Sequence, residues 1–294
     1  MASSQAVATK AASATVNTKR SPSPKIEVGA SRGARVTLRT IALCYLLLLL
    51  ALPLGLILYR TFKGGVSPVL DSLSQPDALH ALKVTLEVAL ASVVLNTIFG
   101  VGASLLITRH KFKGRRLLDA LIDLPVAVSP VVVGLALILV YGRFSSVGGW
   151  LDRQGITIIF SVPGMVLATV FVSLPLVVRS IAPVLQELGD EMEQAAKTLG
   201  ATTIQTFKRI TLPSISGALG YGIVLCLARA VGEYGAVAVV SGRLVGQTQT
   251  LPLYVQERFE NYDETSAFAV ATLLAVIAGV ALLLSKFLRP KESR

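Results

Sequence analysis

Few residues in this 294-residue chain are of a type and spacing that could do chemistry. His80 and His110, its two histidines, fall in what read as solvated loops on opposite sides, so neither stands as a base beside a nucleophile. Cys44 and Cys226 lie 182 positions apart in apolar stretches, with no CxxC or His/Cys spacing, which argues for neither a disulfide nor a metal site. Such cysteines pack as small hydrophobes. No G-x-x-x-x-G-K-[ST] run occurs, so the chain cannot cradle nucleotide phosphates itself and carries no catalytic residues. Arg229 and Glu233 remain, one helical turn apart and close to the middle of an apolar block. An ionisable pair there is expensive and is a functional candidate. Two readings stand: the pair lines an anion path, or it fixes an interface or gate. A paired arginine is already neutralised and offers little to a passing anion. Lys83 and Glu87 read as an interfacial pair at a helix end. Ser129, Tyr141, Ser173 and Tyr234 supply neutral donors that either line a path or pack in the interior. Ser129, beside Pro130, stands where an interrupted helix would aim its amides at an anion.

The elements that carry these residues follow from composition. Fifty-three per cent of the chain is hydrophobic, 15 % is charged, and the mean hydropathy is +0.67. A soluble domain carries roughly 25 % charged residues. The apolar residues fall in six blocks, about 38–59, 84–107, 124–142, 157–178, 219–240 and 267–288, each near the length that crosses a bilayer. An all-α polytopic membrane protein with about six transmembrane helices is therefore expected. Pro130 in the third block, and Pro163 and Pro175 in the fourth, free backbone carbonyls that protein must answer, which turns both helices toward the bundle interior. The net charge of +11 does not indicate nucleic acid, because the cations sit between apolar blocks rather than in a stripe interleaved with aromatics. With the N-terminus inside, the cytoplasmic segments hold 19 Lys and Arg against seven outside, so both termini are expected in the cytoplasm beside anionic lipid. Residues 1–37 form a polar tail with Glu27 its one acid; it reads as a disordered cytoplasmic tail or as a transit peptide. Residues 289–294 form a short cytoplasmic C-terminal tail.

The longest internal polar segment, 179–218, lies on the cytoplasmic side. Asp190 starts a helix carrying Glu191, Glu193 and Gln194, Leu199-Gly200-Ala201 breaks it, and Thr202 or Thr203 caps a second short helix that Leu212-Pro213 stops. The product is a helix–glycine–helix hairpin outside the membrane. On these residues alone it is either a partner-docking element or a re-entry loop lying on the membrane surface.

This segment resembles the motif of ABC-importer permeases written E-A-A, three residues, Gly, nine residues, I-x-L-P. Ala195, Ala196, Gly200, Ile210, Leu212 and Pro213 fall at its spacing, while Gln194 stands where Glu is usual, with Glu193 adjacent. The stretches 121–142 and 226–242 are similar to the sulfate/thiosulfate permeases of the CysT and CysW pair, and 249–275 is closer to the CysW type; the likeness covers about 36–290. The resemblance implies a type I ABC-importer permease fold and a hairpin gripped by a separate ATPase, which would hold ATP and Mg; this chain would hold no cofactor. It further implies a CysT-type second permease, two ATPase subunits and a periplasmic sulfate-binding protein. The membrane would be the bacterial plasma membrane or the inner envelope of a plastid. Competing classes are an ion-coupled carrier, for which Glu233 is the main intramembrane carboxylate, and an intramembrane enzyme or scaffold, against which the lack of a catalytic cluster argues.

Overall fold

The computed structural model describes residues 32–288, which form helices joined by turns, with no strand among the described residues. Residues 1–31 and 289–294, expected as tails, lie outside the described residues. The chain divides into two compact units at Leu52/Pro53. The first holds the larger part of α1 (Arg32–Phe62), whose side chains from Val36 to Leu52 are exposed. Helix α1 begins inside the polar tail that was expected to run to residue 37.

The second unit carries α2 (Ser67–Leu73), α3 (Pro76–Arg109), α4 (Arg115–Ala127), α5 (Pro130–Tyr141), α6 (Ser146–Arg153) and α7 (Val162–Leu188). It continues through α8 (Glu191–Thr198), α9 (Thr203–Thr206), a π-helical turn (Phe207–Thr211), α10 (Leu212–Val231), α11 (Val237–Val240), α12 (Leu251–Glu260) and α13 (Glu264–Leu288). Prolines set many of the starts: Pro68, Pro76, Pro130, Pro163 and Pro252 each occupy the first or second helical position. A missing N–H costs nothing there, and the ring presets φ. Pro163 therefore opens α7 instead of interrupting it, whereas Pro175 lies inside.

Among the described residues, five helices are long and apolar enough to cross a membrane, and a sixth crossing exists if α4 and α5 act together across a 115° bend. The third expected span is thus not one straight helix. Helix α7 is the axis of the unit, with α3, α4, α5, α10 and α11 packed on it. Met165, Ala168, Val177, Val178 and Ile181 are fully buried along it, as the prolines of the fourth block led us to expect. Helix α5 meets that expectation on one face, through Val133 and Gly134, while Val131, Leu135 and Leu139 stay exposed.

Helix α3 reaches α7 through buried residues four apart: Ser92, Asn96, Gly100 and Ser104. Ser92 Oγ donates to the Val166 carbonyl at 3.3 Å, Asn96 Nδ2 to Ser173 Oγ at 2.8 Å, and Ser104 Oγ to the Val178 carbonyl at 3.4 Å. Ser173 is thereby packed in the bundle and does not line a channel. Small side chains let two backbones approach closely where no hydrophobic driving force separates helix from lipid.

Four further expectations change. The hairpin is confined to 189–211, because α7 extends to Leu188 and α10 resumes at Leu212. Leu212-Pro213 does not stop a helix; the π turn lets Leu212 N–H bond the Phe207 carbonyl and the helix runs on. The fifth block, expected as 219–240, ends its helix at Val231, and residues 232–240 fold back so that Val240 O accepts Phe160 N–H at 2.8 Å. The two histidines sit at opposite ends of α3 rather than in loops: His110 is exposed at its C-cap, and His80, in the first turns, is half-buried with Nδ1 unpartnered. Lys83 and Glu87 pair at 3.8 Å and stay exposed, as expected.

A Cβ added at Gly100 would lie 2.6 Å from Val177 Cγ1, whereas one at Gly102 meets nothing within 4 Å. Gly100→Ala should therefore cost about 1–3 kcal/mol by forcing α3 from α7, and Gly102→Ala should not destabilise. Thermal unfolding of the two variants in detergent checks the contrast.

Candidate functional site

Two constellations carry the sequence candidates. The first is the hairpin. Gly189, at φ +64°, ends α7 in a conformation that disfavours side chains, and α8 begins after Asp190. Asp190 makes no backbone cap; its carboxylate instead accepts from Gln194 Nε2 at 2.7 Å. Gly200, at φ +82°, makes the bend. Thr202, one of the two expected caps, forms a capping box: Gln205 N–H donates to its hydroxyl at 3.3 Å, and its own N–H donates to Gln205 Oε1 at 2.9 Å. Leu199 is 88 % exposed and Ile204 68 %, so two large apolar side chains project from the bend with nothing among the described residues to cover them. Gln194 and Ala195 face outward beside them, Ala196 is buried, Ile210 and Leu212 are half-buried, and Pro213 is exposed.

Glu193 points the other way. Its carboxylate receives Arg109 Nε at 3.0 Å and Nη2 at 3.3 Å, and Thr211 Oγ1 donates to it at 2.9 Å. Arg109 Nη1 continues to the Leu185 carbonyl at 2.9 Å. Both charged side chains are mostly buried. One carboxylate thus ties α8 to the end of α3, to α7 and to the π turn that opens α10. A residue one position along a helix turns about 100° away, so Glu193 does not replace the glutamate missing at Gln194; it anchors the hairpin from within. Arg109 and Thr211 were not singled out from sequence, and a cation ending an apolar block gives no sign of which acid it will meet.

The second constellation lies at the other end of α10. Arg229 is in the last turn of α10, not near the middle of a helix, because α10 starts at Leu212, earlier than the apolar block suggested, and ends at Val231. Its Nη1 stands 2.6 Å from Glu233 Oε2, an ion pair whose N–H direction misses hydrogen-bond alignment, with the guanidinium 40 % exposed and the carboxylate 2 %. Glu233 Oε1 accepts the Ala236 N–H at 3.0 Å. The pair therefore holds the turn between α10 and α11. Gly235 lies against Pro130, where a Cβ would come within 3.0 Å of the ring, so the turn meets the α4–α5 break at Ser129. Ser129 is exposed with its hydroxyl unused as a cap. The Tyr234 hydroxyl bonds Gln256 of α12. Tyr141 instead packs half-buried against the core cluster around Met165 and Val237.

Among the described residues, helices packed without strands carry an exposed bent hairpin at one end and a turn folded back onto the bundle at the other. Residues 79–294 match the family described as binding-protein-dependent transport system inner membrane component, and this chain belongs to that family. It is 47 % identical over 251 residues to the sulfate transport system permease protein CysW of Synechocystis sp., covering 85 % of this chain and 91 % of that protein. It is 45 % identical over 238 residues to the chloroplastic sulfate permease 2 of Chlamydomonas reinhardtii, covering 81 % of this chain and 64 % of that protein. In fold it is similar to a chain of a bacterial ABC transporter that imports the polysaccharide alginate, with a TM-score of 0.73 at 17 % identity over 88 % of this chain and 96 % of that one.

Glu193→Ala strands Arg109 in a mostly buried site, which should cost about 3 kcal/mol and release α8. A lower unfolding temperature together with faster tryptic cleavage at Lys197 is the expected result. Glu193→Gln, which still accepts from Thr211, should show a smaller effect in both measurements.

Proposed function

We propose that this chain is a permease subunit of an ATP-driven importer of sulfate, forming the path across the membrane with a CysT-type second permease. Two cytoplasmic ATPase subunits would bind ATP and Mg and drive transport, and a periplasmic sulfate-binding protein would deliver the anion. Both termini and the hairpin face the cytoplasm in this reading, as the distribution of cations favours. The plasma membrane of a bacterium is the proposed location, with the plastid inner envelope as the alternative.

The hairpin supports the ATPase coupling most directly. Leu199 and Ile204 present apolar surface away from the bundle, Gln194 and Ala195 flank them, and the Glu193 clamp makes the hairpin rigid against three helices. A lever needs both properties: a face that a partner grips and an attachment that does not yield. Gly200, Ala196, Ile210, Leu212 and Pro213 shape that lever.

Sulfate carries two charges, and a permease must let it pass without holding it. A desolvated, unpaired arginine would bind it too well. Pairing Arg229 with Glu233 lowers that field, and the use of Glu233 to cap Ala236 favours a gate-fixing role over direct anion contact. Ser129, exposed at the same break, supplies a neutral donor, and Tyr234 beside it stands at the path with its hydroxyl held by Gln256.

Reconstituted with its partner subunits, the importer should take up labelled sulfate only with ATP, and excess thiosulfate, molybdate, tungstate or phosphate in competition ranks the oxyanions. Gly200→Val, strained at φ +82°, should insert normally and keep ATP hydrolysis while uptake falls at least tenfold. Normal coupled uptake in that variant would argue against the hairpin's role. Uptake that persists without the ATPase but collapses with an ion gradient would make the chain a carrier instead. Glu233→Ala, which removes both the ion pair and the Ala236 cap, should lower uptake more than Glu233→Gln in the same assay.

A further inference from the structure

The elbow between α3 and α4 holds charges that the transport reading does not use. Lys111, Lys113, Arg115 and Arg116 fall within six residues, and no ion pair involves them among the described residues. The nearby cations are otherwise engaged: Arg109 is bound to Glu193, and Arg179 bridges Asp119 at 3.0 Å and Asp123. The bridge also occupies the two acids of α4, so the elbow's four charges have no ion-pair partner among the described residues. Lys111, Phe112, Gly114, Arg115 and Arg116 line an open cleft of about 320 Å³.

Helix α4 is apolar on two sides. Leu118 and Ile122 pack with Ile107 and Val178 of the bundle. Leu117, Leu121 and Leu124, one turn apart on another face, are exposed, and Phe112 stands exposed beside them. The bend of 115° prevents α4 and α5 from both running along the membrane normal. Clustered cations next to an uncovered leucine stripe are the composition of a segment seated at an anionic membrane surface.

We propose that this elbow is an anionic-phospholipid site, in which the headgroup phosphate sits in the cleft among Lys111, Arg115 and Arg116, with Lys113 adjacent in the chain, while Leu117, Leu121 and Leu124 enter the acyl layer. Charge complementarity selects the occupant: a zwitterionic headgroup brings a cation of its own to a cleft already lined by three. The site depends on the chain being embedded in a membrane and not on which anion is transported.

The full-length chain, purified in detergent and exposed to equimolar phosphatidylglycerol and phosphatidylcholine, is read by native mass spectrometry. The wild type should retain phosphatidylglycerol preferentially. Each cation near an anionic surface contributes about fivefold, so combined Lys111→Gln, Lys113→Gln, Arg115→Gln and Arg116→Gln should lower the preference more than tenfold. Lys111→Arg, Lys113→Arg, Arg115→Lys and Arg116→Lys together should preserve it, and Lys197→Gln, Lys208→Gln and Arg209→Gln on the hairpin should leave it unchanged. An unchanged preference in the elbow glutamine variant overturns the site. So does an equal loss in the hairpin variant, or a loss in the charge-conserving one. If the glutamine variant keeps its lipid but fails to retain the ATPase when assembled with its partner subunits, the elbow serves an acidic protein surface and the lipid proposal fails.

Discussion

Inside a hydrocarbon layer a backbone that leaves helical geometry finds no water for its N–H and C=O groups, so each break must be answered by protein. In this chain that constraint brings two breaks to one place. The turn after Val231 has its Ala236 N–H taken by Glu233, its Val240 carbonyl taken by Phe160, and Gly235 pressed against Pro130, where α5 starts after its own break. Glu233 is almost fully buried for this purpose, and Arg229 makes its charge tolerable there. Ser129 and Tyr234 gain their position beside the break from the same arrangement, since neither is placed by its own helix alone.

At the opposite end the same bookkeeping of polar groups produces rigidity. The hairpin is joined to the bundle by a carboxylate that receives two guanidinium nitrogens and a hydroxyl, while the guanidinium also reaches a carbonyl of α7. The π turn beneath it supplies Thr211 and at the same time admits Pro213 into a continuing helix. The end of the hairpin that faces away is apolar and uncovered. One side chain row is therefore committed to this chain and the neighbouring row is left for another, and the two are separated by a single step along α8.

Between these ends, α3 and α7 stay together without a hydrophobic driving force against lipid. Ser92, Asn96, Gly100 and Ser104 recur every fourth residue and so fall on one stripe of α3. That spacing is visible in the sequence and could have marked the contact face, although nothing in it names α7 as the partner. The central position of α7 was foreseen from Pro175, because a proline-freed carbonyl must be turned inward.

Composition and spacing by themselves determined the solvent this chain lives in, the approximate place of most crossings, the bend at Gly200, a hydroxyl cap at Thr202 or Thr203 and the absence of a phosphate-cradling loop. These are local properties: a twenty-residue apolar run, a glycine at positive φ and a hydroxyl three residues before an amide act over one or two turns. Only the tertiary structure decided that Glu193 faces Arg109 rather than a partner, that the fifth block folds back at Gly232, that Arg229 lies at a helix end and that Ser173 is packed away. Each of these depends on which distant segment stands opposite, because a charge or hydroxyl in a low-dielectric interior is satisfied by whatever group the packing brings within about 3 Å, and sequence separation does not carry that distance.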